Sequence, residues 1–255
     1  MISHWLDEQI QTQKEIFSLF GSVGLRVFRK EAWRFHEIIE GIVKIGIGSI
    51  PMIAISTSFA GLVITNEIAW HMDHVLHTVE MIPGFTAQAI LRELGIAIPA
   101  LIFVGKVGAS VTAEVGTMKV TEQIDALKLL GIDPIDYLVF PNFIASIISS
   151  ACMVLIASAV TLTCAIFVAV NRYHFGIGEY LNALKNFVGM KDFFCALTKG
   201  VVFGAVIPVI SCAYGFRCKG GAEGVGTATT NSVVTSTIAV ITLDFILTYA
   251  FTSIF

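Results

Sequence analysis

The sequence predicts an all-α integral membrane protein: five transmembrane helices preceded by an interfacial amphipathic helix, with one further helix in a cytoplasmic loop. Three observations carry this. Hydrophobic residues form 55% of the 255 and charged residues 14%, where soluble domains have about a quarter charged. Mean hydropathy is +0.81. The apolar residues also gather into five stretches of about 20 or more, the length needed to cross a hydrocarbon layer about 30 Å thick. A single domain is expected over residues 1–255, with residues 1–44 as a cytoplasmic and interfacial segment and residues 45–255 as the five-span bundle.

The opening "MISHWLDEQIQTQKEIF" carries acids and amides where a signal or transit peptide would be basic and then apolar, so no cleavage is expected. "LFGSVGLRVFRKEAWRFHEII" follows, mixing Phe20, Val23, Val27, Trp33, Phe35 and Ile38 with basic residues. Helices lying in a membrane interface have this composition; a soluble amphipathic helix bound to a partner is the alternative. The first span covers residues 45–66, uncharged between Lys44 and Glu67. Just beyond it, His71, His74 and His77 recur every three residues. At 100° per residue these fan too widely for one metal ion, and no metal site is expected.

The second span runs from about Gly84 to Gly105 and contains Arg92 and Glu93. A long loop follows, and its Gly131 and Pro134 are stop signals that predict a helix over about 117–130. On it Val120, Ile124, Leu127 and Leu130 share one face, while Glu122, Asp125 and Lys128 share the other with Leu129 among them. Such a helix either caps the bundle or docks into a soluble partner. The stretch from Tyr137 to Asn171 is uncharged and lacks Gly or Pro after Pro141, which predicts one long third helix. The fourth and fifth spans run from about Phe193 to Tyr214 and from about Val225 to Thr248. "GGAEGVGTATTNSVVTSTIAV" opens the fifth with small residues that permit close helix packing, as do Gly200 and Gly204 in the fourth.

Orientation follows from the flanking lysines and arginines, which favour the cytoplasmic side. Lys14, Arg26, Arg29, Lys30, Arg34, Lys44, Lys106, Lys119, Lys128, Arg217 and Lys219 fall on one side, and only Arg172, Lys185 and Lys191 on the other. The amino terminus is therefore expected in the cytoplasm and the carboxyl terminus outside.

Several functions are disfavoured. A net charge of −3 offers nothing to nucleic acid. The five cysteines include no C-x-x-C, and no G-x-x-x-x-G-K-[ST] occurs, so no cofactor and no nucleotide hydrolysis by this chain are expected. No nucleophile and base recur at a recognisable spacing. What remains is the intramembrane charge. Arg92 and Glu93 lie roughly 12 Å below the outer end of the second span at 1.5 Å per residue, and Lys199 and Asp244 occupy the same outer half. Ionised groups there cost about 3 to more than 10 kcal/mol, so each should face a partner or a wet cavity. Adjacent helical residues point about 100° apart, so Arg92 and Glu93 do not simply neutralise each other. Lys199 and Asp244 are expected to pair as a clamp, with Arg92 or Glu93 bordering a polar pocket; the alternatives are that all four are structural ion pairs, or that they relay ions or protons.

"LRELG", "VGASVTAEVGTMKVTEQIDAL…GIDP", "GGAEGVGTATTNSVV" and the closing "LDFILT" together resemble the MlaE-type, or YrbE, permeases of ABC transporters that move phospholipids, from about residue 20 to the end. The resemblance implies a homodimer in a bacterial or chloroplast inner membrane; the absence of a transit peptide favours the bacterium. Its partners would be a cytoplasmic ATPase that binds the ATP and a periplasmic MCE-domain protein, with room for a small cytoplasmic regulatory subunit. Transport would maintain outer-membrane lipid asymmetry. A coupling helix at about 113–131, carrying Glu122, Gln123, Asp125 and Leu129, would fit into the ATPase, and Ile64, Asn66, Arg92 and Glu93 would border a lipid cavity between the two copies. Two positions depart from the family pattern: Ile96 stands where LRELGP has proline, with Pro99 three residues later, and Asn231 where some relatives are basic.

Overall fold

The computed structural model describes residues 2–27, 29 and 33–254, with side chains described from Gln11 to Ser253 in that range. Eight helices and no strand occur among the described residues. They are α1 (Ile2–Arg26), α2 (Phe35–His74), α3 (Val79–Val120), α4 (Gln123–Leu129), α5 (Ile135–Tyr173), α6 (Ile177–Phe187), α7 (Met190–Phe216) and α8 (Gly221–Ile254). The five long ones, α2, α3, α5, α7 and α8, are long and apolar enough to cross a membrane. Their many hydroxyls fit this setting by bonding inward. Thr57, Thr65, Thr112, Thr161 and Thr237 each donate to the carbonyl four residues back at 2.7–2.8 Å, leaving no hydroxyl proton for lipid to solvate.

The chain divides into two compact units. The first comprises Met1–Gly48, Phe103–Ser149 and Val202–Val240. In it, Ile16 of α1 packs with Ile210, Ala213 and Tyr214 of α7. The α1 helix ends at Arg26, whose guanidinium grips Asp133 and Asp136 after α4. Burial opposes the charge on Arg26, but the two aspartates outweigh it and raise its pKa. Thr112 Oγ1 lies 2.8 Å from Ser232 Oγ and 3.2 Å from the Ser211 carbonyl, a buried hydroxyl cluster joining α3, α7 and α8.

The second unit comprises Ser49–Ile102, Ser150–Val201 and Ile241–Phe255. Ile53 of α2 packs against Met153 and Ala157 of α5, and Ile90 of α3 packs with Ala165, Ala169 and Tyr180. Burial pushes the Tyr180 hydroxyl up to about 12. Pro99 lacks the amide proton that would bond the Gly95 carbonyl, and Ser158 Oγ lies 3.5 Å from that oxygen.

The elements depart from the sequence expectations in four places. The second span does not stop near Gly105; α3 continues to Val120 because the residues past Gly105 pack in the first unit, where Val107, Val111 and Val115 are buried. The helix expected over 117–130 is broken at Thr121–Glu122, where Glu122 adopts a left-handed φ of 62°, so α4 starts only at Gln123. Leu130, expected on the buried face, follows α4 and is exposed. The basic segment over residues 19–39 is not one helix: α1 ends at Arg26 and α2 begins at Phe35, with residues 28 and 30–32, including Lys30, outside the described residues. Between the third and fourth spans the connection itself folds into α6, held by Tyr180 in the core.

Candidate functional site

The charges of the second unit gather into one site. Arg92 and Glu93 ride on a π-helical turn, Ile90–Leu94, inserted in α3. Such a turn adds a residue to the helix and frees a backbone carbonyl from its usual partner. Lys199 of α7 reaches that turn and donates to the Arg92 carbonyl at 2.8 Å. The same ammonium donates to Glu93 Oε2 at 3.3 Å and lies 2.8 Å from Asp244 Oδ1 of α8, an ion contact outside hydrogen-bonding alignment. Lys199 is fully buried, so three acceptors in place of water are what make its charge tolerable there.

Glu93 is held from both sides, for Thr248 donates to its Oε1 at 2.8 Å. Arg92 points away and donates to Asp192 Oδ1 at 2.6 Å. Asp192 is almost entirely buried and its other oxygen accepts the Gly189 amide at 2.9 Å, tying the start of α7. Two networks result, and each includes one of the two neighbouring charges of α3.

Between them opens a cavity of about 270 Å³, lined by Arg92, Glu93, Lys191, Asp192, Cys195 and Thr248 together with Phe251 and Thr252. Half of the Arg92 side chain and 39% of that of Glu93 remain exposed to it or to the surroundings, while Lys199 is sealed behind them. The wall is thus part charged and part apolar, suited to a polar group carrying hydrocarbon.

Lys199 and Asp244 stand together, but not as a pair apart from the pocket, since Glu93 shares the ammonium and also lines the cavity. Ile64 and Asn66 sit half-buried on α2 and do not line it; Asn66 Oδ1 accepts from Arg172. Asp192, Cys195 and Thr248 escaped the sequence reading. The signal available for Asp192 was an acid directly before the apolar run that opens at Phe193.

In the first unit, α4 presents Leu129, 90% exposed, beside Lys128 and the exposed Glu122, Gln123 and Asp125. Ile124, on the opposite face, is buried and anchors the helix. Lys119 Nζ lies 3.1 Å from Asp125, fixing α4 to the end of α3, and Lys128 Nζ lies 3.5 Å from the same carboxylate within α4. His71 and His74 pack on Trp70, with ring centroids 5.1 and 5.0 Å away. Among the described residues, no three His, Cys, Asp or Glu side chains gather to hold a metal ion.

Comparison with known proteins bears on this architecture. The family model described as Permease MlaE matches residues 38–250. The chain is 36% identical over 238 residues to a "Probable ABC transporter permease protein" of Rickettsia typhi, covering 91% of this chain and 90% of the relative. A protein of the same description from Synechocystis is 34% identical over 246 residues, covering 96% and 93%. Another from Porphyra purpurea is 37% identical over 235 residues, covering 92% and 89%. A five-span helical chain with a charged cavity, matched over most of its length in this way, belongs to the MlaE family of ABC transporter permeases.

Proposed function

We propose that the chain is the permease subunit of a transporter that moves phospholipids between the bacterial inner membrane and a periplasmic MCE-domain carrier, in the service of outer-membrane lipid asymmetry. The observation that carries the reading is the cavity bounded by Arg92, Glu93 and Phe251, in which ionised and apolar walls meet. A phospholipid is a ligand with both needs: a charged head for Arg92 and acyl chains for the apolar lining. Two copies would enclose the full chamber, with Ile64 and Asn66 contributing from α2.

In this reading the amino terminus is cytoplasmic and the carboxyl terminus periplasmic, which the lysine and arginine distribution supports. Helix α4 with Glu122, Gln123, Asp125 and Leu129 docks into a cytoplasmic ATPase, which binds the ATP; the permease uses no cofactor of its own. A small cytoplasmic regulatory subunit is compatible with the same face. ATP binding draws the coupling helices together and narrows the chamber, expelling lipid outward.

The networks around Lys199 also suit a second reading, an ion or proton path through linked ionisable groups. Purification with native neighbours, lipid identification by mass spectrometry, and flux measurement in liposomes separate the two. Lipid transfer that needs the ATPase, with no current from the chain alone, is the expected result. Currents from the chain alone, and no bound phospholipid, would overturn it.

A further inference from the structure

A second polar cleft lies in the first unit and shares no residue with the Arg92–Glu93 cavity. It is lined by Lys44, Ile45, Lys106, Ser110, Glu114 and Asn142, among others, and measures about 40 Å³. At about 10–15 Å³ per water centre it has room for a small polar group and not for an acyl chain.

Its construction is unusual. Lys44 stands in the π-helical turn Ile42–Gly46 of α2 and Lys106 in the π-helical turn Val104–Gly108 of α3, so two such turns each deliver a cation to one cleft. Lys106 donates to the Gly48 carbonyl, which holds its ammonium in place and leaves further protons to offer. Lys44 lies 2.7 Å from Glu114. The cleft therefore holds two cations against one anion and keeps a positive balance. Ser110 is exposed beside them, and Asn142 donates one of its two side-chain amide protons to the Leu138 carbonyl.

Both lysines mark the end of an uncharged membrane stretch: none of residues 45–66 is charged after Lys44, and Lys106 closes the run after Glu93. On α2, Val43 and Ile47 beside Lys44 are 51% and 60% exposed, apolar surface that hydrocarbon would cover. Cationic side chains at such a boundary attract anionic lipid.

We propose that Lys44 and Lys106 form a binding site for the phosphate group of an anionic phospholipid, whose chains lie along Val43 and Ile47. Glu114 competes for Lys44 and weakens the site. This assignment does not depend on the transport reading. The test reconstitutes the full chain in nanodiscs of mixed phosphatidylglycerol and phosphatidylcholine and counts the lipids retained by native mass spectrometry.

At roughly fivefold per surface lysine, phosphatidylglycerol should be retained about 5- to 25-fold over phosphatidylcholine. Lys44→Gln with Lys106→Gln should bring the ratio near unity, whereas Lys185→Gln with Lys14→Gln, an equal loss of charge elsewhere, should leave it unchanged. Glu114→Gln should raise retention, which a merely structural ion pair would not do. No preference in the wild type, or a preference that survives the double substitution, overturns the site. Displacement of the lipid by inorganic phosphate overturns the lipid as its ligand. If the double variant fails to fold, Glu114→Gln decides: unchanged or lowered retention is then the contrary result.

Discussion

Lys199 holds the Arg92 carbonyl, Glu93 and Asp244 at once. Lys199→Met is expected to leave two partly buried carboxylates facing each other without a cation between them, a loss of up to about 3–5 kcal/mol. Thermal unfolding in detergent measures it. Lys199→Met combined with Asp244→Leu should recover part of that loss, because a pair removed together leaves less uncompensated charge. A different residue carries a pH dependence. The hydrogen bond from Lys119, helped by its charge and by Lys128, holds the Asp125 carboxyl below its ordinary 3.8. With the folded pKa below the unfolded one, the contribution is complete above about pH 4 and is lost as pH falls through the depressed value. Asp125 is exposed, so the consequence is local: amide protection in α4 should fall on acidification in the wild type, and be already low and insensitive to pH in Asp125→Asn. An equal acid response in both would show that Lys119 and Asp125 do not hold α4.

Between elements, close approach decides stability. A Cβ on Gly61 would lie 2.7 Å from the Thr161 carbonyl oxygen of α5, whereas one on Gly105 would meet nothing within 4 Å. Gly61→Val should therefore cost about 1–3 kcal/mol by overpacking, while Gly105→Ala should gain up to about 1 kcal/mol from reduced chain entropy. Melting temperatures moving in opposite directions would bear this out. The contrast also shows what a sequence can tell. The five spans are legible because a run of some 20 apolar residues has few other uses, and the long α5 because nothing interrupts it. The extension of α3 to Val120 is not legible, since "KVGASVTAEVGTMKV" has no membrane-like hydropathy and its helicity comes from packing. The break before α4 has no Gly or Pro to announce it; Glu122 takes the left-handed conformation because the chain must turn there. The π-helical turns that present Lys44, Arg92 and Lys106 have no sequence signature either.

At the scale of the whole molecule, the intramembrane charges are legible as a set, and the Lys199–Asp244 contact among them, but the rest of their arrangement is not. A charge in an apolar run announces a need for a partner; which partner depends on topology, as Arg92 with Asp192, 100 positions away, illustrates. The proposed docking of an ATPase on α4 is likewise a matter of surface. Leu129 is 90% exposed on α4 and Leu130 after it 75%, while Ile124 behind them is buried. Exposed leucines of this kind gain about 1.5–3 kcal/mol each when a partner buries them. Leu129→Ser removes the gain without touching the core, so the melting temperature of the isolated chain should not move. Affinity for the ATPase should fall about 10- to 100-fold, as read by co-purification or by surface binding. ATPase-dependent lipid transfer should fall with it while lipid bound to the Arg92–Glu93 cavity stays, because α4 contributes no residue to that cavity. Undiminished ATPase binding by Leu129→Ser would remove α4 from the coupling interface and leave the cavity assignment standing.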